Sequence, residues 1–211
     1  INKGLDKLLS NNAFLIGEDI CDTTDETPHV YGGAFKVTNG LSTKYPKSVF
    51  NTSISEAGIV GFGLGISLTG KQTIVEIMFG DFTTLIFDQI LQHATKFEYM
   101  YAGKIKCPLI VRTPMGGRRG YGPTHSQSLE KFFLGIPNLS VIALNHRISP
   151  RYVYDTLISS FNNPCLVIEN KILYTVENSK SELVGYNYSF NEKSYSIPNL
   201  IISPKDYSSE L

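Results

Sequence analysis

Apolar positions recur along the chain with two periods. Ile1, Leu5, Leu8 and Leu9 share one helical face over residues 1–9, and Asn11 and Asn12 close that pattern. Residues 13–17, Ala-Phe-Leu-Ile-Gly, are a short apolar run ending on glycine and predict a buried strand. A stretch rich in Gly, Thr and Asp follows over 18–48 and reads as a long loop, of a length usually reserved for functional segments. The order then becomes regular. The pattern predicts a helix over 55–68, a strand over 73–79 and a helix over 82–101, with Leu85, Ile86, Ile90, Leu91 and Ala94 on one face. A strand at 108–111, a Gly- and Arg-rich loop at 115–123 and a short helix at 125–134 come next. A strand at 139–144, a helix at 150–161 and a strand at 165–168 complete the series. Alternating helices and β-branched strands predict an α/β fold, a mostly parallel sheet with helices on both faces. From residue 175 the pattern dissolves into Ser, Asn and Tyr, so residues 175–211 read as a linker toward a C-terminal domain that the chain does not contain.

Composition narrows the function class. The 211 residues predict one domain with a fragment beyond it. Lys plus Arg and Asp plus Glu are 19 each, so the net charge is zero and no field draws the chain to nucleic acid or anionic lipid. The longest apolar stretch, residues 57–68, is 12 residues, short of the roughly 20 that span a bilayer. Neither a nucleic-acid nor a membrane partner is expected. Cys21, Cys107 and Cys165 are odd in number, lack metal-ligand spacing and read as thiols of a reducing cytoplasm.

Four segments could carry chemistry. Ser53-Ile54-Ser55-Glu56 has the spacing of a helix capping box, in which Ser53 caps and Glu56 reaches back. Glu56 is also the lone charge between Lys47 and Lys71, and a carboxylate entering an apolar site needs a partner or a raised pKa. Gly58, Gly61, Gly63 and Gly65 fall inside the helix that Glu56 opens. Each costs about 1 kcal/mol there, which implies close packing of a backbone or a ligand. Gly80-Asp81-Phe82 stands between a strand and a helix, at the carboxyl end where open α/β sheets bind ligands; taken alone, Asp81 reads first as a helix cap and Phe82 as core. The segment from Met115 to Gln127 holds four glycines, Arg118, Arg119 and, at the next helix start, His125. It is either a solvated loop capped by Thr124 or the seat of an acid–base histidine held neutral by the helix dipole.

Taken together, these segments resemble the β subunit of thiamine-diphosphate-dependent 2-oxo acid dehydrogenases, the decarboxylating component of the pyruvate and branched-chain complexes. The matching stretches are Ile16-Gly17-Glu18-Asp19, Phe50 to Gly61 with its Ser-Glu-Ala-Gly block, Phe87-Asp88-Gln89-Ile90, His125-Ser126-Gln127-Ser128, and Asn163-Pro164-Cys165 through Lys171-Ile172-Leu173-Tyr174. The resemblance implies that residues 1–174 are a pyrimidine-binding domain of the transketolase-like fold. Family roles then fall residue by residue. Glu56 would hydrogen-bond N1′ of the aminopyrimidine, so that the cofactor's own imino nitrogen can remove the thiazolium C2 proton. Phe82 would stack on the pyrimidine, Met78 would line the same pocket and His125 would stand near the reacting centre. A structural potassium ion would fall near Leu109, Ile158, Phe161 and Asn163.

The same resemblance implies oxidative decarboxylation of a 2-oxo acid with acyl transfer to a lipoyl group. Its expected partners are an α subunit, in an α2β2 heterotetramer, and a lipoyl-bearing acyltransferase. The G-D-G…N motif that holds the diphosphate through magnesium is missing here and lies on the family's α subunit. An acetoin-cleaving or transketolase-like thiamine enzyme is an alternative, and so is a non-catalytic domain that only binds a partner.

Overall fold

The computed structural model describes residues 1–23, 31–160, 162–178, 184–191 and 199–205. The chain runs α1 (Asn2–Ser10), β1 (Phe14–Gly17), α2 (Leu41–Lys44), β2 (Val49–Asn51), α3 (Glu56–Ser67), β3 (Thr73–Glu76), α4 (Phe97–Met100), β4 (Leu109–Met115), β5 (Ser140–Ala143), α5 (Pro150–Ser160) and β6 (Cys165–Asn170). These six strands form one all-parallel sheet in the order β2-β1-β3-β4-β6-β5. After β1 the chain steps outward to β2 and then returns to β3 on the other side of β1, so the strand order reverses between β1 and β3. Ligands of open α/β sheets bind outside the carboxyl ends at such a reversal.

Alternation along the strands explains why both faces are covered. Val75, Leu109, Val111, Leu166 and Ile168 pack toward Ile59, Val60 and Leu64 of α3. Their neighbours Ile74, Ile110, Cys165 and Val167 pack toward Leu5, Leu8 and Leu9 of α1 and Val153, Tyr154 and Leu157 of α5. Successive side chains of a strand point to opposite faces, so near-continuous apolar strands bury two cores. The α/β expectation holds. Among the described residues no helix is long and apolar enough to cross a membrane.

The glycines of α3 divide by environment. A methyl group on Gly63 would lie 2.3 Å from Val75 Cγ2, so this glycine lets the helix sit directly on β3, whereas Gly61 and Gly65 face open space.

Several local expectations are corrected. The 18–48 stretch contains α2, and β2 follows directly after it; within that stretch residues 24–30 lie outside the described set. Buried Asp22 organises the α2 turn, accepting from Gly40 N (2.6 Å), Ser42 Oγ (2.9 Å), Thr43 N (2.9 Å) and Thr43 Oγ1 (2.7 Å). The expected helix over 82–101 is broken into a 3-10 segment at Gly80–Ile86, a π segment at Gln89–Ala94 and then α4. Threonine hydroxyls compete for its carbonyls: Thr83 Oγ1 donates to Gly80 O (2.7 Å) and Thr95 Oγ1 to Leu91 O (3.1 Å). Beyond residue 175, β7 (Tyr186–Asn191) and β8 (Asn199–Pro204) pair antiparallel as a separate two-stranded sheet.

Candidate active site

The carboxyl ends of neighbouring strands deliver the candidate residues in a row. β2 leads to Glu56, β1 to Glu18, β3 to Met78, Phe79 and Phe82, β4 to the glycine-rich loop and His125, and β6 to Lys171.

Ser55, not Ser53, caps α3, its Oγ accepting from Gly58 N at 3.3 Å. Glu56 is therefore the first helical residue, one position past the cap, and cannot close a box with Ser53. It is half-buried, and the preceding Ile54 is 74 % exposed. The Glu18 carboxyl is pushed up by burial first and then by the charges of Asp19 and Glu56, so the ends of β1 and β2 form an acidic corner.

At the end of β3, Met78 and Phe82 are half-buried and Phe79 is buried. Gly80 allows a close approach, since a methyl group there would lie 2.6 Å from Met115 Cγ. Asp81 is not a helix cap: its Oδ1 accepts from Gln127 N (3.3 Å) and Gln127 Nε2 (2.8 Å). Its Oδ2 is buried without a hydrogen-bond partner.

His125 closes a three-residue 3-10 turn, Pro123–His125, and the expected helix over 125–134 is reduced to a second 3-10 turn at Glu130–Phe132. The reason is local. The backbone of 125–127 bonds to strand ends instead of to itself: Lys171 Nζ donates to His125 O, Gly116 N to Gln127 O (3.2 Å) and Gln127 N to Asp81. No helix dipole therefore acts on His125. Its ring lies 4.7 Å from Phe79 and 5.3 Å from Phe82, both edge-on, and its Nδ1 is 2.9 Å from Thr124 Oγ1. The structure thus brings His125 and Phe82 together. Glu56 stands on the next flank, where α3 packs against the turn that carries Phe82. Arg118 and Arg119 of the loop are exposed.

The sequence pattern did not single out Phe79, which touches the His125 ring, Lys171, which holds its carbonyl, or Phe35 and Tyr121, which pack on Phe79. Phe79 reads as the end of an apolar strand and Lys171 as an ordinary surface charge. Arg112 was missed as well. It is fully buried, and the register pairs it with Glu76. Its guanidinium bonds Glu76 and Glu169, the latter bidentately with Nε at 3.0 Å. Tyr154 and Tyr174 donate to Glu169 at 2.7 and 2.6 Å. With two carboxylates on one guanidinium, the better-bonded Glu169 is held below the ordinary carboxylate range by Arg112, despite its burial. Glu76 is pushed up by burial. A cleft of about 370 Å³ opens beside Phe35, Glu169 and Tyr174; none of Glu56, Met78, Phe82 or His125 lines it.

The potassium positions fall elsewhere. Leu109 opens β4, Ile158 lies in α5 and Asn163 just precedes β6, while Phe161 is outside the described residues. Leu109 and Asn163 are at the amino ends of their strands, across the sheet from His125. Among the described residues, no three His, Cys, Asp or Glu side chains converge as a metal site.

The chain matches the family model "Transketolase, pyrimidine binding domain" over residues 5–177. It is 38% identical over 180 residues to the 2-oxoisovalerate dehydrogenase subunit beta 2, mitochondrial, of Arabidopsis thaliana, covering 82% of this chain and 47% of that one. It is 33% identical over 217 residues to the acetoin:2,6-dichlorophenolindophenol oxidoreductase subunit beta of Cupriavidus necator, covering 99% and 61%. Identity to the pyruvate dehydrogenase E1 component subunit beta-1, mitochondrial, of Arabidopsis thaliana is 33% over 177 residues, 82% of this chain and 46% of the relative. A solved structure, "Split gene transketolase, inactive beta4 tetramer", superposes with a TM-score of 0.58 at 19% identity over 79% of this chain and 48% of that one, a likeness of fold. The chain spans about half the length of the curated relatives it matches. With its parallel sheet and its match over residues 5–177, the chain belongs to the transketolase pyrimidine-binding-domain family.

Proposed function

We propose that this chain is the pyrimidine-binding part of the β subunit of a thiamine-diphosphate-dependent 2-oxo acid dehydrogenase. In this reading it works only as half of an active site shared with an α subunit in an α2β2 heterotetramer. The observation that carries the reading is the row of strand ends at the β1/β3 reversal, with a carboxylate at Glu56, a half-open aromatic face at Phe82 and an imidazole at His125. When bound, thiamine diphosphate supplies an acidic thiazolium carbon able to add to a 2-oxo acid. The chain's own residues do the rest of their part. Glu56 holds a proton at the pyrimidine nitrogen N1′, where a carboxylate partly withdrawn from water exchanges it without losing it to solvent. Phe82 offers a flat apolar face to the pyrimidine, and Met78 walls it. His125, braced edge-on by Phe79 and Phe82, handles protons at the substrate side.

The α subunit would hold the diphosphate through magnesium. Main-chain carbonyls near Leu109, Ile158 and Phe161, with the amide oxygen of Asn163, would form an all-oxygen potassium site of structural role. A lipoyl-bearing acyltransferase would take the acyl group. A reducing compartment such as the cytoplasm is part of the same proposal, supported by three free thiols. The second reading is an acetoin-cleaving enzyme, supported by the Cupriavidus necator relative that aligns with 99% of this chain.

The test is co-expression with an α chain bearing the G-D-G…N motif, followed by assay with pyruvate, branched 2-oxo acids and acetoin. Lipoyl reduction with a 2-oxo acid supports the main reading, turnover of acetoin alone selects the second, and neither sinks both. Glu56→Gln in the active heteromer should slow deuterium exchange at C2 of bound cofactor by about 10²-fold or more. Unchanged exchange would reduce Glu56 to a helix-start residue.

A further inference from the structure

Lys171 follows the last residue of β6, and its side chain has 0% exposure. A lysine this deep ordinarily pairs with a carboxylate. Among the described residues no carboxylate forms an ion pair with it. Its ammonium instead donates to the main-chain oxygen of His125 and stands 5.0 Å over the ring of Phe79 and 5.5 Å over that of Tyr121. Those two rings touch each other at 5.5 Å, and Phe79 braces the imidazole of His125 at 4.7 Å. One cation therefore governs both what holds the His125 backbone and what walls its ring. Burial lowers the Lys171 pKa, and Asp81 opposes this. A neutral side chain of similar length would fill the space at less desolvation cost, but could neither donate to the carbonyl nor attract the ring faces.

We propose that Lys171 is a positioning residue for His125, its buried ammonium fixing the His125 main chain directly and the imidazole plane through Phe79. Having no exposed surface, Lys171 acts through His125 and not on substrate. The inference rests on the reading of His125 given above for its catalytic consequence, but not for its structural one.

The structural arm uses the chain by itself. In ¹⁵N spectra at low temperature the Lys171 ammonium should give a slowly exchanging signal with Overhauser contacts to Phe79 and Tyr121; its absence overturns the proposal, and this measurement needs no variant. The His125 imidazole signals, identified by their loss in His125→Ala, should move in Lys171→Met and stay near their place in Lys171→Arg, with those of His93 and His146 fixed. His125 signals unmoved in Lys171→Met overturn it equally. The catalytic arm uses the active heteromer. Lys171→Met should lower kcat about tenfold or more, leave KM and C2 exchange within about twofold, and add nothing to His125→Ala. A loss that multiplies with that of His125→Ala overturns the coupling. If His125→Ala itself leaves turnover intact, the catalytic reading of His125 fails while the spectra still decide the positioning.

Discussion

Arg112 sits opposite Glu76 in the register of β3 and β4, and the same guanidinium grips Glu169 on the next strand. All three side chains point to the α1/α5 face, as the alternation of Ile74, Ile110 and Val167 requires. One buried cation thus ties three strands just beneath the ends that carry the candidate site.

Removing that cation should be severe. Arg112→Met leaves two carboxylates in an apolar layer, and urea unfolding should show a loss of about 3–5 kcal/mol. Replacing Arg112, Glu76 and Glu169 together by apolar residues of similar volume should cost much less. Equal losses in both would show that the arginine contributes packing alone.

Acid stability should depend on Asp22. Its hydrogen bonds hold its carboxyl below the ordinary value of 3.8, even though burial opposes them. A depressed carboxylate adds stability above its unfolded value, and that share is lost as pH falls through the folded one. Asp22→Asn should cost about 2–3 kcal/mol near pH 6, and the cost should shrink as pH drops below about 4. Urea unfolding of both proteins at pH 3 and pH 6 checks it; a cost independent of pH would remove the carboxylate's charge from the explanation.

The α3 glycines predict opposite signs. Gly63→Ala forces a methyl group against Val75 and should destabilise by about 1–3 kcal/mol. Gly65→Ala meets nothing and should stabilise the isolated chain by about 0.5–1 kcal/mol. Thermal melts of the two variants side by side suffice.

Thiamine diphosphate with magnesium should bind this chain weakly when no α chain is present. Calorimetric titration is the measurement, and micromolar affinity, about 8 kcal/mol, would refute a shared site.

His125→Ala should cut turnover of the heteromer by about 10²–10⁴-fold while cofactor affinity stays nearly unchanged. A loss below about threefold, or a matching loss of cofactor binding, would remove His125 from the reacting centre.

The sheet was legible because its strands are short β-branched runs closed by turns, and Thr73 to Ile77 or Cys165 to Ile168 can be little else. The edge strand Val49–Asn51 was not, because three residues give no period. Residues 125–134 misled for a different reason. Leu129 and Phe133 have helical spacing and both are buried, but the backbone before them is bonded to Asp81 and Lys171, which follow the ends of β3 and β6. Glu56 and His125 stand out in the sequence because they sit in contiguous blocks, and Phe82 because it follows a strand end at Gly80-Asp81. Lys171, Phe79 and Asp81 work across gaps of about 46 residues, which no local pattern records.

Those gaps also order events in time. The bonds from Lys171 to His125 and from Gln127 to Asp81 each close a loop of 46 residues, and the Arg112 bonds to Glu169 close one of 57. Each closure costs entropy that local contacts cannot repay in advance. The seat of His125 can form only after β3, β4 and β6 lie side by side, so it matures later than the local contacts of α3 and β3. An emerging polypeptide will therefore have α3 laid on β3 before it has a histidine in place, and refolding followed at Phe79 or His125 should lag refolding followed at Leu64.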